Sequence, residues 1–288
     1  MLIIVRRRQN AHSPSALKAA NLHPTLHFLD TPMKIATWNV NSLKVRLPQV
    51  LDWLSAQGPE VLCLQETKTE DKNFPRAEIE AAGYQVLFSG QKTYNGVAIL
   101  SKEPAVLVAS GIPGFEDEQK RLLAADVAGL RVVCGYFPNG QSLESDKYPY
   151  KLSWLAALQG WLETALAEQP RLVLLGDFNI APEDRDADPA AGDCATLVSA
   201  EVRAAFRGLL ELGLVDSFRQ FEQPEKTWSW WDYRMMAFRR NMGLRIDHIL
   251  LSRELAPLCR SCKVDKAPRK LERPSDHAPV IAELDVPS

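Results

Sequence analysis

Several apolar segments of the sequence end on a polar side chain that could take part in chemistry. Asn39 follows one such segment near the start of the chain, and Glu66 follows the next. A third apolar segment, at 172–175, leads into Asp177 and Asn179. In an extended backbone, residues two positions apart point to the same face, so this carboxylate and this amide are predicted to lie side by side.

Four further polar residues occupy comparable places. Tyr136 ends an apolar segment, Asp247 lies inside a late one, and Asp276 and His277 directly precede the last one. Any one of these residues, taken alone, is most often an ordinary turn or surface residue. Their repeated occurrence beside apolar segments favours one shared site, because strand ends at one edge of an α/β sheet are the usual place for a site.

The types of these residues favour a hydrolytic chemistry. The sequence has no Gly-rich phosphate loop, no G-x-S-x-G turn and no H-E-x-x-H zinc motif. After residue 32 the histidines are His248 and His277, and His248 neighbours Asp247, so it points to the opposite strand face. Oxygen ligands favour Mg²⁺, with Mn²⁺ as a substitute, over zinc. Carboxylates, amides and one imidazole can supply the charge stabilisation, activated water and leaving-group assistance that phosphodiester hydrolysis needs.

The apolar periodicity predicts the elements that must hold these residues in place. Residues 47–54 follow helical spacing, and Gly58 ends that helix. Two more helices are predicted, at 150–168 and around 202–209. Pairs of short strands favour hairpins together with crossovers, which is typical of a layered α/β sandwich of mixed sheets rather than a purely parallel sheet. The predicted strands are 34–38, 60–65, 84–88, 97–100, 105–108, 122–127, 130–137, 171–175, 245–251 and 278–284.

The composition is that of a globular protein from a reducing compartment. Of the 288 residues 46% are hydrophobic, and no apolar run reaches the ~18 residues that a membrane span needs. An odd number of cysteines, five, argues against a disulfide framework and for the cytoplasm. Cys259 and Cys262 form a single C-x-x-C without the second pair or histidine cluster of a zinc site, so this motif is predicted to be incidental.

The charge balance restricts how the chain could bind a polyanion. The net charge is −2, and residues 1–32 contribute four basic residues and one acidic residue. The rest of the chain therefore has 30 basic against 35 acidic residues, a net charge of −5. A protein that binds duplex DNA through its overall charge would be basic, so any contact with DNA must come from a local patch.

Residues 1–32 differ from the rest of the chain. They are polar and irregular and hold three of the five histidines, whereas Met33 opens a clear strand. Three interpretations are open: a disordered tail or misassigned start with initiation at Met33, an Arg-rich transit peptide, and a DNA-binding arm. We assign 1–32 to an N-terminal extension and 33–288 to one catalytic domain.

Seven sequence blocks resemble the exonuclease III and abasic (AP) endonuclease family of the endonuclease/exonuclease/phosphatase superfamily, and they occur in that family's order. Together they span about 33–284. The resemblance implies a four-layered α/β sandwich in which two mixed sheets are flanked by helices. The blocks are WNVNSLK (38–44), LQETK (64–68), GYFPNG (135–140), LLGDFNIAP (174–182), WSWWDYR (228–234), GLRIDHILLS (243–252) and PSDHAPV (274–280).

The resemblance also implies a role for each matching residue. Glu66 matches the family's metal-binding glutamate, and Asp177 matches the aspartate that orients and deprotonates the attacking water. His277 matches the histidine that stabilises the charged phosphate, and Asp247 matches the carboxylate that holds its ring and favours its charged form. The remaining matches are Asn39 and Asp276 near the same metal ion, Asn179 as the companion amide of Asp177 in the catalytic and metal site, and Tyr136 and Asn139 as phosphate contacts.

Recognition of DNA is implied by the same resemblance. Trp230 matches an aromatic residue that packs with Leu244 and Ile246 around an extruded deoxyribose. Aromatic surface beside a basic loop, here the loop of Arg234, suits an unstacked nucleotide. Phosphate contacts, which would make affinity salt-dependent, are expected from Lys68, Lys147 and Lys151.

Two parts of the chain depart from the family pattern. Asn41 stands where the eukaryotic abasic endonucleases have an aspartate, which leaves open whether one or two metal ions bind. The segment 184–200 is polar and irregular and does not align. In the family this region lies over the DNA, so the preference between internal abasic sites and 3′ ends is expected to be set there.

These observations predict a magnesium-dependent DNA repair nuclease. We expect a cytoplasmic monomer, associated with the nucleoid through DNA, whose substrate is double-stranded DNA with abasic sites or 3′ ends. Abasic endonuclease, 3′-to-5′ exonuclease and 3′-phosphatase activities are all compatible with the sequence. Two alternatives are an inositol-phosphate or lipid phosphodiesterase of the same superfamily and a catalytically silent DNA-binding module.

Overall fold

The computed structural model of the protein describes residues 32–192 and 194–286. Apart from its last residue, the extension assigned to 1–32 lies outside the described residues. The strands are β1 Met33–Asn39, β2 Val61–Gln65, β3 Gln85–Ser89, β4 Val97–Ser101, β5 Ala105–Ser110, β6 Leu122–Val127, β7 Leu130–Tyr136, β8 Leu172–Asp177, β9 Leu214–Asp216, β10 Asp247–Ser252, β11 Cys259–Val264 and β12 Val280–Leu284. The α-helices are α1 Leu43–Gln57, α2 Arg76–Ala81, α3 Lys147–Glu168, α4 Ala195–Val198, α5 Ala200–Glu211 and α6 Ala237–Arg240.

The strands form two sheets of six, each of which mixes parallel and antiparallel pairs. The order in the first sheet is β11-β12-β1-β2-β4-β3, and the order in the second is β5-β6-β7-β8-β10-β9. β1 and β2 are parallel, as are β7 and β8, and the other pairs within the described sheets are antiparallel. The predicted mixed sandwich is confirmed.

Alternating side chains divide the buried residues into layers. Along β7, Val132 and Cys134 point into the space between the sheets, while Val133 points outward against α3 and α5. The outward face of the first sheet packs in the same way against α1 and α2. This period of two is what a strand buried on both faces shows. Each fully buried Leu, Ile or Val side chain contributes about 1.5–3 kcal/mol through burial, so both helix layers are firmly held.

Sequence periodicity predicted the long elements to within about four residues, but it missed five short ones: α2, α4, α6, β9 and β11. β9 has three residues and α2 has six, too few to show a period. β11 has the sequence CRSCKV and lies at the edge of its sheet, where most of its side chains meet solvent. Of the C-x-x-C motif, Cys262 is a buried side chain that packs 3.2 Å from the hydroxyl of Ser217.

No helix within residues 32–192 and 194–286 has both the length and the apolar character that crossing a membrane requires.

A buried ion-pair network fastens the 3₁₀ turn Asp184–Asp186 to β9 and β10. The guanidinium of Arg245 lies 2.7 Å from the Asp186 carboxylate and 2.9 Å from that of Asp216. Arg245 also faces His248, whose Nδ1 is 3.0 Å from the guanidinium and whose Nε2 is 2.9 Å from the carbonyl oxygen of Ile180. Burial, assisted by the positive charge of Arg245, lowers the pKa of His248 to about 4. His248 is therefore a neutral structural residue.

We expect the stability of the protein to fall as the pH drops from about 6.5 to about 4, because the unfolded chain binds a proton at His248 that the native state does not bind. This difference corresponds to about 3 kcal/mol. In His248→Gln the amide can replace both hydrogen bonds of the ring without titrating. Urea unfolding of both proteins between pH 4 and 8 should show the wild type losing this stability relative to the variant. If the free energy of unfolding depends on pH in the same way in both proteins, His248 is not a neutral buried imidazole.

Candidate active site

Two pairs of parallel strands bring the predicted residues to one edge of the sandwich. The last residues of β1 and β2, Asn39 and Gln65, are paired in register. In the second sheet, Tyr136 at the end of β7 is paired with Asp177 at the end of β8. The antiparallel strand β10 begins at Asp247, which is also paired with Asp177. The edge therefore gathers polar side chains from both sheets.

A glycine allows β8 to reach this position. Gly176 has a φ of 151°, and a Cβ at this residue would lie 1.8 Å from the carbonyl oxygen of Gly135 on β7. Any side chain at 176 would push the two strands apart and displace Asp177, the next residue. The glycine before the aspartate is thus required by the close approach of the two backbones.

Asp177 is a buried carboxylate that three N–H groups hold in one orientation. Its Oδ2 accepts hydrogen bonds from the side-chain amides of Asn39 at 2.9 Å and Asn179 at 3.3 Å, and its Oδ1 accepts one from the backbone N–H of Asn179 at 2.9 Å. Burial raises the pKa of Asp177, the charge of His277 lowers it, and the charge of Asp247 raises it. The resulting pKa is about 7. A carboxylate with such a pKa suits a general base at neutral pH.

Glu66 and Lys68 occupy strained backbone just after β2. Both have a φ of 51°, in the left-handed region, which costs a residue other than glycine about 1–3 kcal/mol. Hydrogen bonds from the backbone N–H groups of Thr67 and Lys68 to the carbonyls of Gly96 and Asn95 offset this strain. The turn points Glu66 towards the site, where its Oε1 accepts a hydrogen bond from Asn39 and its Oε2 lies 2.8 Å from Lys68 Nζ.

His277 and Asp247 form the predicted pair. Nδ1 of the ring lies 2.8 Å from one Asp247 oxygen and 3.1 Å from the other, and Nε2 lies 3.7 Å from Asp177 Oδ2. Burial would lower the pKa of His277, but the negative charges of Asp247 and Asp177 outweigh it and raise the pKa to about 10. His277 is therefore an imidazolium at neutral pH, and Asp247 fixes its ring.

Asp276 is oriented by two hydrogen bonds of its own. Its Oδ1 accepts a hydrogen bond from Asn41 Nδ2 at 2.9 Å and its Oδ2 accepts one from Trp230 Nε1 at 3.0 Å. Lys68 Nζ lies 2.6 Å from Asn41 Oδ1, so Asn41 links the two sides of the site. Burial would raise the pKa of Asp276, but the charge of His277 and these two hydrogen bonds lower it. Asp276 is thus ionised.

The side chains present fit a metal ion at Glu66 and Asp177. Ligand atoms of Glu66, Asp177 and His277 lie within 4.8 Å of one another. Because His277 is protonated, the two carboxylates are the donors of this group, and oxygen donors suit a hard divalent cation. Asn39 presents its NH₂ group to both carboxylates, so it could contribute its oxygen only after rotation of the amide. Asp276 uses one acceptor site on each of its oxygens for its hydrogen bonds, so each oxygen keeps a further site.

A cavity of about 390 Å³ opens above these groups. Its floor contains Glu66, Asp177 and His277, and one wall includes Leu197 and Ile246, both apolar. Residues Ala191, Gly192, Cys194 and Thr196 of the segment 184–200 also line it, together with Trp230 and Arg234. The segment 184–200 therefore borders the site.

Tyr136 and Asn139 extend the polar floor. Burial, followed by the charges of Glu66 and Asp177, raises the pKa of Tyr136 well above its usual value, so its hydroxyl stays a donor. Asn139 Nδ2 donates to Asn179 Oδ1 at 3.0 Å, which joins the segments that follow β7 and β8. Both residues line the cavity.

The residues expected to contact DNA have different surroundings. Arg234 lines the cavity and pairs with Asp232 at 2.6 Å. Lys147 is exposed and lines a neighbouring surface cavity that also includes Asn139. Leu244 is fully buried behind Trp230 and Ile246, so it supports the apolar wall from inside.

The prediction that Lys151 contacts a phosphate is wrong. Lys151 is 0% exposed, and its Nζ donates hydrogen bonds to backbone carbonyls instead of facing the cavity. Sequence reasoning also missed the pairing of Arg245 with Asp186. The signal for it was a charged residue inside an apolar strand pattern, which calls for a buried partner of opposite charge.

A buried base, a fixed imidazolium and carboxylates suited to a cation, placed at the edge of a two-sheet sandwich, define a phosphoester-hydrolysing α/β enzyme. The chain belongs to the endonuclease/exonuclease/phosphatase family, whose sequence model matches residues 36–277.

Individual relatives agree with this assignment. Exodeoxyribonuclease III of Haemophilus influenzae is 38% identical over 88% of this chain and 100% of its own length. Two solved structures each cover 88% of this chain and 100% of their own. A 3′ phosphatase NExo from Neisseria bound to a product DNA hairpin has 47% identity and a TM-score of 0.85, and an AP endonuclease from Archaeoglobus fulgidus has 40% identity and a TM-score of 0.84.

We expect Asp247→Asn to lower the pKa of His277 from about 10, because Asp247 is the main charge that opposes the effect of burial. The ring signals of His277 can be followed by NMR in metal-free protein between pH 5 and 10. In the wild type the ring should stay protonated through neutral pH, whereas in the variant it should titrate at lower pH. His248, which is neutral throughout this range, is the internal control. A wild-type midpoint near 6.5 would overturn the assignment.

Proposed function

We propose that this protein is a DNA repair nuclease that uses Mg²⁺, with Mn²⁺ as a substitute, to hydrolyse phosphodiester bonds at abasic sites and at DNA 3′ ends. The observation that carries this proposal is the buried carboxylate of Asp177, which three N–H groups orient and whose Oδ2 lies 3.7 Å from Nε2 of His277. A relative bound to a DNA hairpin and relatives named as exonuclease and AP endonuclease support DNA as the substrate.

The side chains divide the work of phosphodiester hydrolysis. Asp177 accepts the proton of a water molecule that attacks the phosphorus, while Asn179 keeps the carboxylate oriented. The imidazolium of His277 and the hydroxyl of Tyr136 donate towards the phosphate oxygens on which negative charge grows. Mg²⁺ held by Glu66 and Asp177 would supply further positive charge at the phosphate.

The cavity wall suits an abasic nucleotide. A deoxyribose without its base offers an apolar ring face of the size that Leu197, Ile246 and Trp230 can enclose, whereas a stacked base pair would hold the sugar outside. The exposed Arg234 and Lys147 are proposed to contact phosphates on either side. Their contribution would fall with rising salt.

The remaining assignments belong to the same proposal. We assign residues 33–288 to one catalytic domain and place the protein in the cytoplasm. We propose that it acts as a monomer, because the active face must accept a duplex without obstruction. The segment 184–200 sets the preference between internal abasic sites and 3′ ends, since its residues line the cavity next to the catalytic carboxylate.

We expect Asp177→Asn to reduce cleavage by about 10²–10⁴-fold, because the amide cannot accept the proton of the attacking water. The substrate is a labelled duplex with one internal abasic-site analogue and one recessed 3′ end, incubated with Mg²⁺ or with EDTA. Asp126→Asn, at the opposite ends of the strands and paired with Arg131, is the matched control and should cleave normally.

The products of this assay separate the alternatives. Cleavage 5′ to the abasic site identifies an abasic endonuclease, and shortening from the 3′ end alone identifies a 3′-end-processing enzyme. If the wild type cleaves neither position, DNA is not the substrate, and inositol phosphates and phospholipids are the substrates to assay next. Turnover of Asp177→Asn at the wild-type rate would disprove the role of Asp177.

We expect Glu66→Gln to raise the Mg²⁺ concentration needed for half-maximal activity by at least about tenfold, because even partners outside the ligand sphere change metal affinity by that amount. High Mg²⁺ should restore part of the activity, which distinguishes weakened metal binding from loss of the base. Titration of Mg²⁺ and Mn²⁺ against initial rate provides the measurement. If the Mg²⁺ concentration for half-maximal activity is unchanged in the variant, Glu66 does not bind the metal ion.

A further inference from the structure

Lys151 is a buried cation without a carboxylate partner among the described ion pairs. It lies in the second turn of α3 and is 0% exposed. Its Nζ donates to the carbonyl oxygens of Asn179 at 2.7 Å, Thr196 at 2.8 Å and Asn139 at 3.3 Å. An ammonium group has three N–H donors, so these three carbonyls use all of them.

The three carbonyls come from three separate segments at the active edge. Asn139 belongs to the turn after β7, Asn179 follows β8, and Thr196 lies in α4, within the segment 184–200. The first two also carry amides that line the cavity and bond to each other at 3.0 Å. One side chain thus joins the floor of the site to the segment that borders it.

The neighbouring backbone packs closely around the side chain of Lys151. Asn179 has a φ of 50°, a left-handed conformation that needs support from its surroundings. Gly140 has a φ of 92°, and a Cβ there would lie 3.3 Å from Lys151 Cδ. The chain therefore passes directly over the lysine stem, and the hydrogen bond to Asn179 O helps to hold the strained residue.

Removing the ammonium group of Lys151 from water destabilises the folded state unless its hydrogen bonds inside the protein compensate for the lost solvation. Burial lowers the pKa of Lys151 to about 7, against the opposing influence of Asp177. An apolar side chain of similar size would avoid this penalty, but it would leave three carbonyls without their donor, each of which costs about 1–3 kcal/mol. Simple core packing does not account for a lysine in this place.

We propose that Lys151 is a positioning residue of the active site, which ties the backbones of Asn139, Asn179 and Thr196 together and so fixes both amides and the bordering segment around the scissile phosphate. This role rests on the proposed phosphodiesterase function. Lys151 does not touch the substrate and acts through the residues that it holds.

The decisive variant is Lys151→Met, which keeps the length and apolar stem and removes the three donors. We expect kcat on the abasic duplex to fall about 10- to 100-fold, with KM changed by less than about threefold, because misplacing catalytic groups by an ångström has effects of this size. Lys151→Gln keeps part of the donor capacity and should lose less. It also provides a test if Lys151→Met does not fold.

Arg131→Met is the matched control. Arg131 is also a buried cation, but it pairs with Asp126 and Glu168 at the opposite end of β7. Its loss should lower the melting temperature while kcat stays at the wild-type value. If the Lys151 variants also keep wild-type kcat, or change KM alone, Lys151 is a structural residue only and the proposal is overturned.

Hydrogen exchange supplies a readout that does not depend on activity. We expect faster exchange in peptides that cover 137–141, 178–182 and 194–198 of Lys151→Met, and no such change in Arg131→Met. Changes confined to α3 would overturn the proposal. If the wild type cleaves no DNA, the proposed function fails, but the exchange pattern still decides whether Lys151 joins the three segments.

Discussion

Three charged groups buried together, the carboxylates of Asp177 and Asp247 and the imidazolium of His277 between them, impose the main constraint on this molecule. In a site with little water their interactions are strong, so small displacements change protonation. Their backbones must therefore be rigid. Asp177 and Asp247 are strand partners in the second sheet, while His277 is tied to the first sheet through its carbonyl, which accepts a hydrogen bond from Trp38 Nε1 at 3.3 Å. The active edge depends on the fixed packing of one sheet on the other.

Much of this arrangement could be predicted because it follows from local rules. Apolar period and turn residues located the long strands, and the polar residues at the strand ends predicted Asn39, Glu66, Tyr136 and Asp177 as neighbours. This worked because parallel strands end at a common edge, and the sandwich has one such pair in each sheet. The site is in this sense a direct consequence of strand polarity.

What could not be predicted depends on contacts between distant parts of the chain. The position of Lys151 on its helix is compatible with a surface cation, and only the packing of three segments around it buries the ammonium group. The same holds for Arg245 and Asp186, which are 59 residues apart. Backbone groups of irregular segments that are buried cannot bond to water, so they need other hydrogen-bond partners. Buried charged side chains supply these partners and hold such segments in one conformation.

The pairing of β1 with β12 connects the beginning of the described chain to its end. Met33 is opposite Leu284, so β1, the first strand of the described residues, sits inside the first sheet and lacks one neighbour until β12 has emerged from the ribosome. Pairings so distant in sequence form slowly, because a long loop must close before any contact is gained. His277 emerges in the same late stretch as β12. In a nascent chain Glu66 and Asp177 therefore emerge well before His277, and they gain the neighbouring imidazolium only after this later stretch has been made.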